Sequence, residues 1–135
     1  MNVRQSKGQS LVEFALVLPL LLILIFGVIE FSILMYDKAV LTNASREGAR
    51  AGIVATSPRP TDAAIKKVVD DYCLTYLITF GTASLTKTVT PPPYVSGQPL
   101  SVQVDYPYQF LVVPNFITTM AGGVTLTATT VMRIE

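Results

Sequence analysis

Gly8-Gln9-Ser10-Leu11-Val12-Glu13-Phe14-Ala15-Leu16-Val17-Leu18-Pro19 opens an apolar run that continues through Gly27-Val28-Ile29 to Tyr36, and this run decides the fold. No charged residue interrupts Phe14 to Ile29. With its flanks from Leu11 to Tyr36, the run exceeds the roughly 20 residues that cross a bilayer as a helix. Glu13 is the anomaly at its entry, because a charge moved toward a bilayer centre costs about 2.5–3.5 kcal/mol on insertion scales and is usually retained for a function.

The flanks set the expected topology. Arg4 and Lys7 precede the run, whereas Asp37 and Lys38 follow it and cancel. The positive-inside rule then keeps the N-terminus cytoplasmic and exports the rest. A cleaved secretory signal is the competing reading. The run is too long for one, and its far side, Glu30-Phe31-Ser32-Ile33-Leu34-Met35-Tyr36, lacks a small-x-small site. Tyr36 suits the interfacial belt, and a membrane helix tolerates Pro19 and Gly27 more easily than a soluble one does.

Beyond the run, Asp37 to Ala55 is free of proline and rich in helix formers, so one helix is expected to continue outside the membrane. Ala44, Gly48 and Gly52 recur every four residues on one of its faces and permit close backbone approach. They suit packing against the chain's own sheet or against another subunit. Thr56-Ser57-Pro58-Arg59-Pro60 ends this helix. A second, short helix follows, capped by Thr61 or Asp62, with Ile65, Val68, Val69, Tyr72, Tyr76 and Leu77 as its apolar face. Lys66, Lys67, Asp70 and Asp71 are its solvated face.

After Gly81 the period changes to alternation. Ser84 to Val89 reads as a strand, and Thr90-Pro91-Pro92-Pro93 with Ser96-Gly97-Gln98-Pro99 reads as a connection. Leu100 to Phe110 is the clearest strand, with Pro107 marking a bulge or an edge. Pro114 to Ala121 reads as a loop with a helical turn closed by Gly122-Gly123. Val124 to Glu135 is the last strand, with Thr125, Thr127 and Thr129 on one face. The expected fold is α+β: a long N-terminal transmembrane helix, a short second helix and a three-stranded antiparallel sheet.

Composition narrows function. The 135 residues carry a formal charge of +1, so no basic excess points to nucleic acid. Histidine is absent and Cys73 is the single cysteine. These counts exclude Cys/His metal clusters, histidine-based triads and an intrachain disulfide. Cys73 lies beside the apolar face of the second helix and reads as a buried small hydrophobe rather than a bridge to a partner. No G-x-S-x-G motif or paired-carboxylate pattern is present, so no enzyme and no cofactor are expected.

The stretch Gly8 to Pro19 resembles the N-terminus of TadE-like proteins, the minor pilins or pseudopilins of the tight-adherence (Flp, type IVc) branch of type IV pili. The resemblance continues through Gly27-Val28-Ile29-Glu30-Phe31 and Leu41-Thr42-Asn43-Ala44-Ser45-Arg46-Glu47-Gly48-Ala49-Arg50, and the ending Val131-Met132-Arg133-Ile134-Glu135 is similar too. It implies a pilin-like fold divided into a leader (1–8), a transmembrane helix (9–36) and an exported α+β domain (37–135). It further implies cleavage between Gly8 and Gln9 by a prepilin peptidase, with Glu13 and Phe14 as the fifth and sixth mature residues. Loss of Arg4 and Lys7 would turn the side-chain charge from +1 to −1. In pilins of this type the glutamate at this position is thought to pair with the N-terminal amine of an adjoining subunit, which would favour assembly over an isolated carboxylate in lipid.

The implied partners are the prepilin peptidase, TadF-like minor pilins, the major Flp pilin, the inner-membrane assembly platform and the bilayer. The implied location is the bacterial inner membrane, single-pass, with the C-terminal domain outside the cytoplasm. Glu30 lies about 25 Å along the helix from Glu13; a solvated acid near the outer interface is the simple reading, and a contact between subunits is the alternative. Arg46, Glu47 and Arg50 read as solvated by default. The competing function is an uncleaved membrane-anchored binding module, which would keep residue 1 as its N-terminus.

Overall fold

A computed structural model describes residues 3–80, 84–90, 93–111 and 123–135, with side chains from residue 8 onward. Gly81, Pro91 and Pro92, the expected turn over 114–121 and Gly122 lie outside the described residues. Helix α1 runs Val3–Ile53 and α2 Asp62–Tyr76; strands β1 (Thr86–Val89), β2 (Pro99–Tyr108) and β3 (Val124–Arg133) follow. The sheet has the order β1-β2-β3, antiparallel throughout. This is the α+β architecture expected from the change of period along the chain.

Helix α1 is 51 residues long, about 77 Å at 1.5 Å per residue. It ends where the prolines begin. Thr61 caps α2, its hydroxyl accepting the Ala64 N–H at 3.2 Å, so Thr61 and not Asp62 is the capping residue. Along β2 the alternation is realised: Leu100, Val102, Val104, Tyr106 and Tyr108 are buried, and Ser101, Gln103 and Asp105 face away from the core. Pro107 faces Thr125 of β3 in an unbroken register, while β1 covers β2 only from Val102 to Asp105. The proline therefore marks an edge and no bulge, at a point where a missing N–H costs no ladder bond on the open side. Thr125, Thr127 and Thr129 share the exposed face of β3, and Leu126 and Ala128 point inward.

Both helices cover one face of the sheet. Directions follow from the contacts: Gly52 lies against Leu100 and Ile65, Gly48 against Val102 and Val69, and Glu30 against Tyr108. Strand β2 and α2 thus run antiparallel to α1. Strand β3 runs with α1, since the Lys38 ammonium donates to the Thr127 carbonyl, Ser45 bonds Thr130 (Oγ–Oγ1 2.7 Å), and the Glu135 N–H reaches the Ile53 carbonyl. The core formed by Leu41, Ile65, Val69, Leu100, Val102 and Val104 is fully buried, each such side chain contributing about 1.5–3 kcal/mol against the entropy of ordering it.

One reading of α2 is corrected. Its buried stripe is Ile65, Val69 and Cys73, whereas Tyr76 is half exposed and packs at a tilt against Tyr72 with ring centroids 4.8 Å apart. The face is turned by one residue because the glycine and alanine row of α1 admits the stripe spaced four apart. Cys73 is buried as expected, and burial pushes its thiol up to about 11, so it is a protonated, unreactive group at neutral pH.

Candidate assembly and processing site

The first half of α1 stands apart from the rest of the chain. Among residues 8–29 none is buried, and Leu11, Phe14, Leu16, Leu20, Ile23, Leu24 and Val28 are each more than half exposed. This helix is long and apolar enough to cross a membrane, and the apolar window that qualifies it has no buried part. In water such a surface would be a large liability; in lipid it is the expected composition.

Gly8, Gln9, Glu13 and Phe14 sit at the start of this exposed segment, on successive helical turns. Beyond its own helix backbone, no atom of the described residues lies within 4 Å of the place where a Gly8 side chain would begin. Gln9 and Glu13 share one face four residues apart, and the Gln9 amide donates to Glu13 Oε1 at 3.2 Å. Phe14 is 64% exposed. The four residues form an open surface that a second protein can reach without displacing any part of this fold.

The small-residue row has a different position. Ala44, Gly48 and Gly52 are buried against α2 and the sheet of the same chain. A Cβ on Gly48 would stand 2.6 Å from Val69 Cγ2, and one on Gly52 would overlap Leu100 Cδ2 and lie 2.8 Å from Ile65 Cδ1. Of the two packings that the spacing allowed, the structure realises the one within the chain. Arg46, Glu47 and Arg50 lie exposed on the opposite side of α1.

Glu30 corrects the reading of a solvated acid. It is 4% exposed, and its Oε1 accepts the Tyr108 hydroxyl at 3.1 Å and the Leu111 N–H at 2.9 Å. Burial foremost, and then the bond to Glu30, push the Tyr108 hydroxyl far above its ordinary range, so it stays a donor at any working pH. The sheet therefore grips α1 from Glu30 outward, starting below the Tyr36–Asp37 boundary that the charge pattern suggested.

Asp37, about two helical turns further along the same helix, was not singled out as a site from sequence. It is fully buried; Oδ1 accepts the Ile78 N–H at 3.0 Å and Oδ2 has no hydrogen-bond partner among the described residues. Burial raises its pKa, and the Ile78 bond only partly opposes this. An acid whose folded pKa lies above the unfolded value stabilises the fold fully below the unfolded pKa, near 3.8, and loses that contribution as pH rises through the folded value. Asp37→Asn keeps an acceptor for Ile78 and removes the charge. In thermal unfolding of the full chain in detergent, the variant is expected to be at least as stable as the parent at pH 7, with the gap closing as pH falls toward 4. A variant clearly less stable at pH 7 would show that the ionised carboxylate is needed.

Among the described residues no group of three or more Cys, Asp or Glu side chains is placed to hold a metal ion. The model of the TadE-like protein family matches residues 8–50, which runs from the open Gly8 through the buried row to Arg50 and stops before α2. No curated protein and no solved structure matches the chain.

Proposed function

The chain is TadE-like over residues 8–50, and from that premise we propose that it is a minor pilin or pseudopilin of a Tad (Flp) pilus, cleaved between Gly8 and Gln9 by a prepilin peptidase and then used in pilus assembly for adhesion. In this role the protein is structural and not an enzyme. Its partners are TadF-like minor pilins, the major Flp pilin and the assembly platform of the inner membrane, and its exported domain lies outside the cytoplasm.

One observation supports this reading: Gly8, Gln9, Glu13 and Phe14 stand exposed at the N-terminal end of a lipid-compatible helix from which the folded domain is held away. A glycine with free space around it admits close backbone approach by a peptidase. Cleavage creates an ammonium on Gln9. Among the described residues Glu13 meets the neutral Gln9 amide; an adjoining subunit's ammonium is the stronger partner for a carboxylate near lipid.

The test uses two substitutions with different expected phenotypes. Gly8→Leu should retain the leader. Glu13→Gln should be cleaved and inserted in the membrane yet impair pilus assembly, because the amide cannot hold an ammonium as an ion pair. Normal piliation in both variants would contradict the proposal.

A further inference from the structure

The membrane-side rim of the exported domain carries an apolar side chain that the described residues leave exposed. Strand β2 descends along α1, so its end at Tyr108 to Leu111 is level with Glu30, the first buried residue of α1. Residues 9–29, none of them buried, rise about 32 Å, close to the roughly 30 Å hydrocarbon thickness of a bilayer. A single-pass orientation, on which this step rests, then sets Glu30 at the outer edge of the hydrocarbon. From Glu30 to Tyr36 the helix climbs about 9 Å, comparable with one headgroup layer. Phe31, Met35 and Tyr36 are exposed in that interval, and Asp37 and Lys38 follow it in the sequence. Leu111, 58% exposed, occupies the same level on the domain's side, its N–H fixed to Glu30.

We infer that the lower end of β2, through Leu111, is a second membrane contact that sits in the outer headgroup layer beside the transmembrane helix, with Glu30 setting its height. The occupant of this surface is lipid, since the apolar rim is continuous with the span that lipid already surrounds. A domain held to the bilayer at two points has a defined tilt relative to its helix, which a domain on a single stalk lacks.

The chain contains no tryptophan, so single-tryptophan variants of the full protein report without background. Leu111→Trp, Val17→Trp in the span and Val131→Trp on the outer sheet face are reconstituted in phosphatidylethanolamine/phosphatidylglycerol vesicles with or without nitroxide lipids, one labelled near the headgroup to report on positions 111 and 131 and one labelled deep on the acyl chain to report on position 17. The expected result is at least twofold quenching at positions 17 and 111, and none at 131, where aqueous iodide quenches instead. Quenching at 17 with iodide access at 111 equal to that at 131 overturns the rim contact while leaving the anchor intact. No lipid quenching at 17 removes the single-pass premise and the inference with it. A blue-shifted position 111 that neither quencher reaches would mean that protein covers the rim, which also contradicts it.

Discussion

Gly52→Val is expected to destabilise the exported domain by about 3 kcal/mol or more, since overpacking a tight core costs typically 1–3 kcal/mol and this site offers no flexible neighbour end to yield cheaply. The added carbons meet the Leu100 and Ile65 side chains, both fully buried, so relief requires α1, α2 and β2 to separate. The gain in helix propensity on leaving glycine is under about 1 kcal/mol and does not reverse the sign. For a domain of this size the loss corresponds to a fall in unfolding temperature of roughly 10 °C or more. Gly27→Ala is the internal control: nothing lies within 4 Å of its Cβ position, so it should leave unfolding unchanged. If Gly52→Val left the melting curve intact and reduced only assembly, the small-residue row would belong to a contact between subunits.

Glu30→Ala should cost about 2–5 kcal/mol, because it leaves the Tyr108 hydroxyl and the Leu111 N–H without their acceptor and each buried orphan costs about 1–3 kcal/mol. Glu30→Gln keeps a carbonyl oxygen where Oε1 stands and should lose only about 1 kcal/mol. Tyr108→Phe, which deletes one donor, should resemble the Gln variant. The readouts are thermal unfolding and hydrogen exchange at the Leu111 amide, which should accelerate most in Glu30→Ala. A solvated Glu30 would give changes within about 0.5 kcal/mol for all three.

Sequence and structure part company at identifiable places. The elements were legible because each announces itself locally: an uncharged run, a proline pair, a cap at Thr61 or Asp62, and the strict alternation from Leu100 to Tyr108. Pro107 was legible only as a bulge or an edge, and the strand register decides for the edge. Partners distant in the chain were not. Glu30 meets Tyr108 across 78 residues and Asp37 meets Ile78 across 41, and no local pattern tells a carboxylate at the end of an apolar run which donor will reach it. Spacing showed that Ala44, Gly48 and Gly52 admit a close neighbour but carried no information on whose surface arrives. In α2 two adjacent stripes, 65/69/73 and 68/72/76, satisfy the same helical period; only the shape of the α1 surface selects the first. At the N-terminal site Gly8, Gln9, Glu13 and Phe14 were singled out through the resemblance to TadE-like proteins, and the structure adds that the folded domain leaves them exposed.

The account rests centrally on processing at Gly8, and the most direct test is the intact mass and N-terminal sequence of the protein isolated from native membranes. The predicted result is a mature chain beginning at Gln9, eight residues shorter than the sequence given. A chain still beginning at Met1 would contradict the pilin account and leave a membrane-anchored domain whose Glu13 has no new amine to meet.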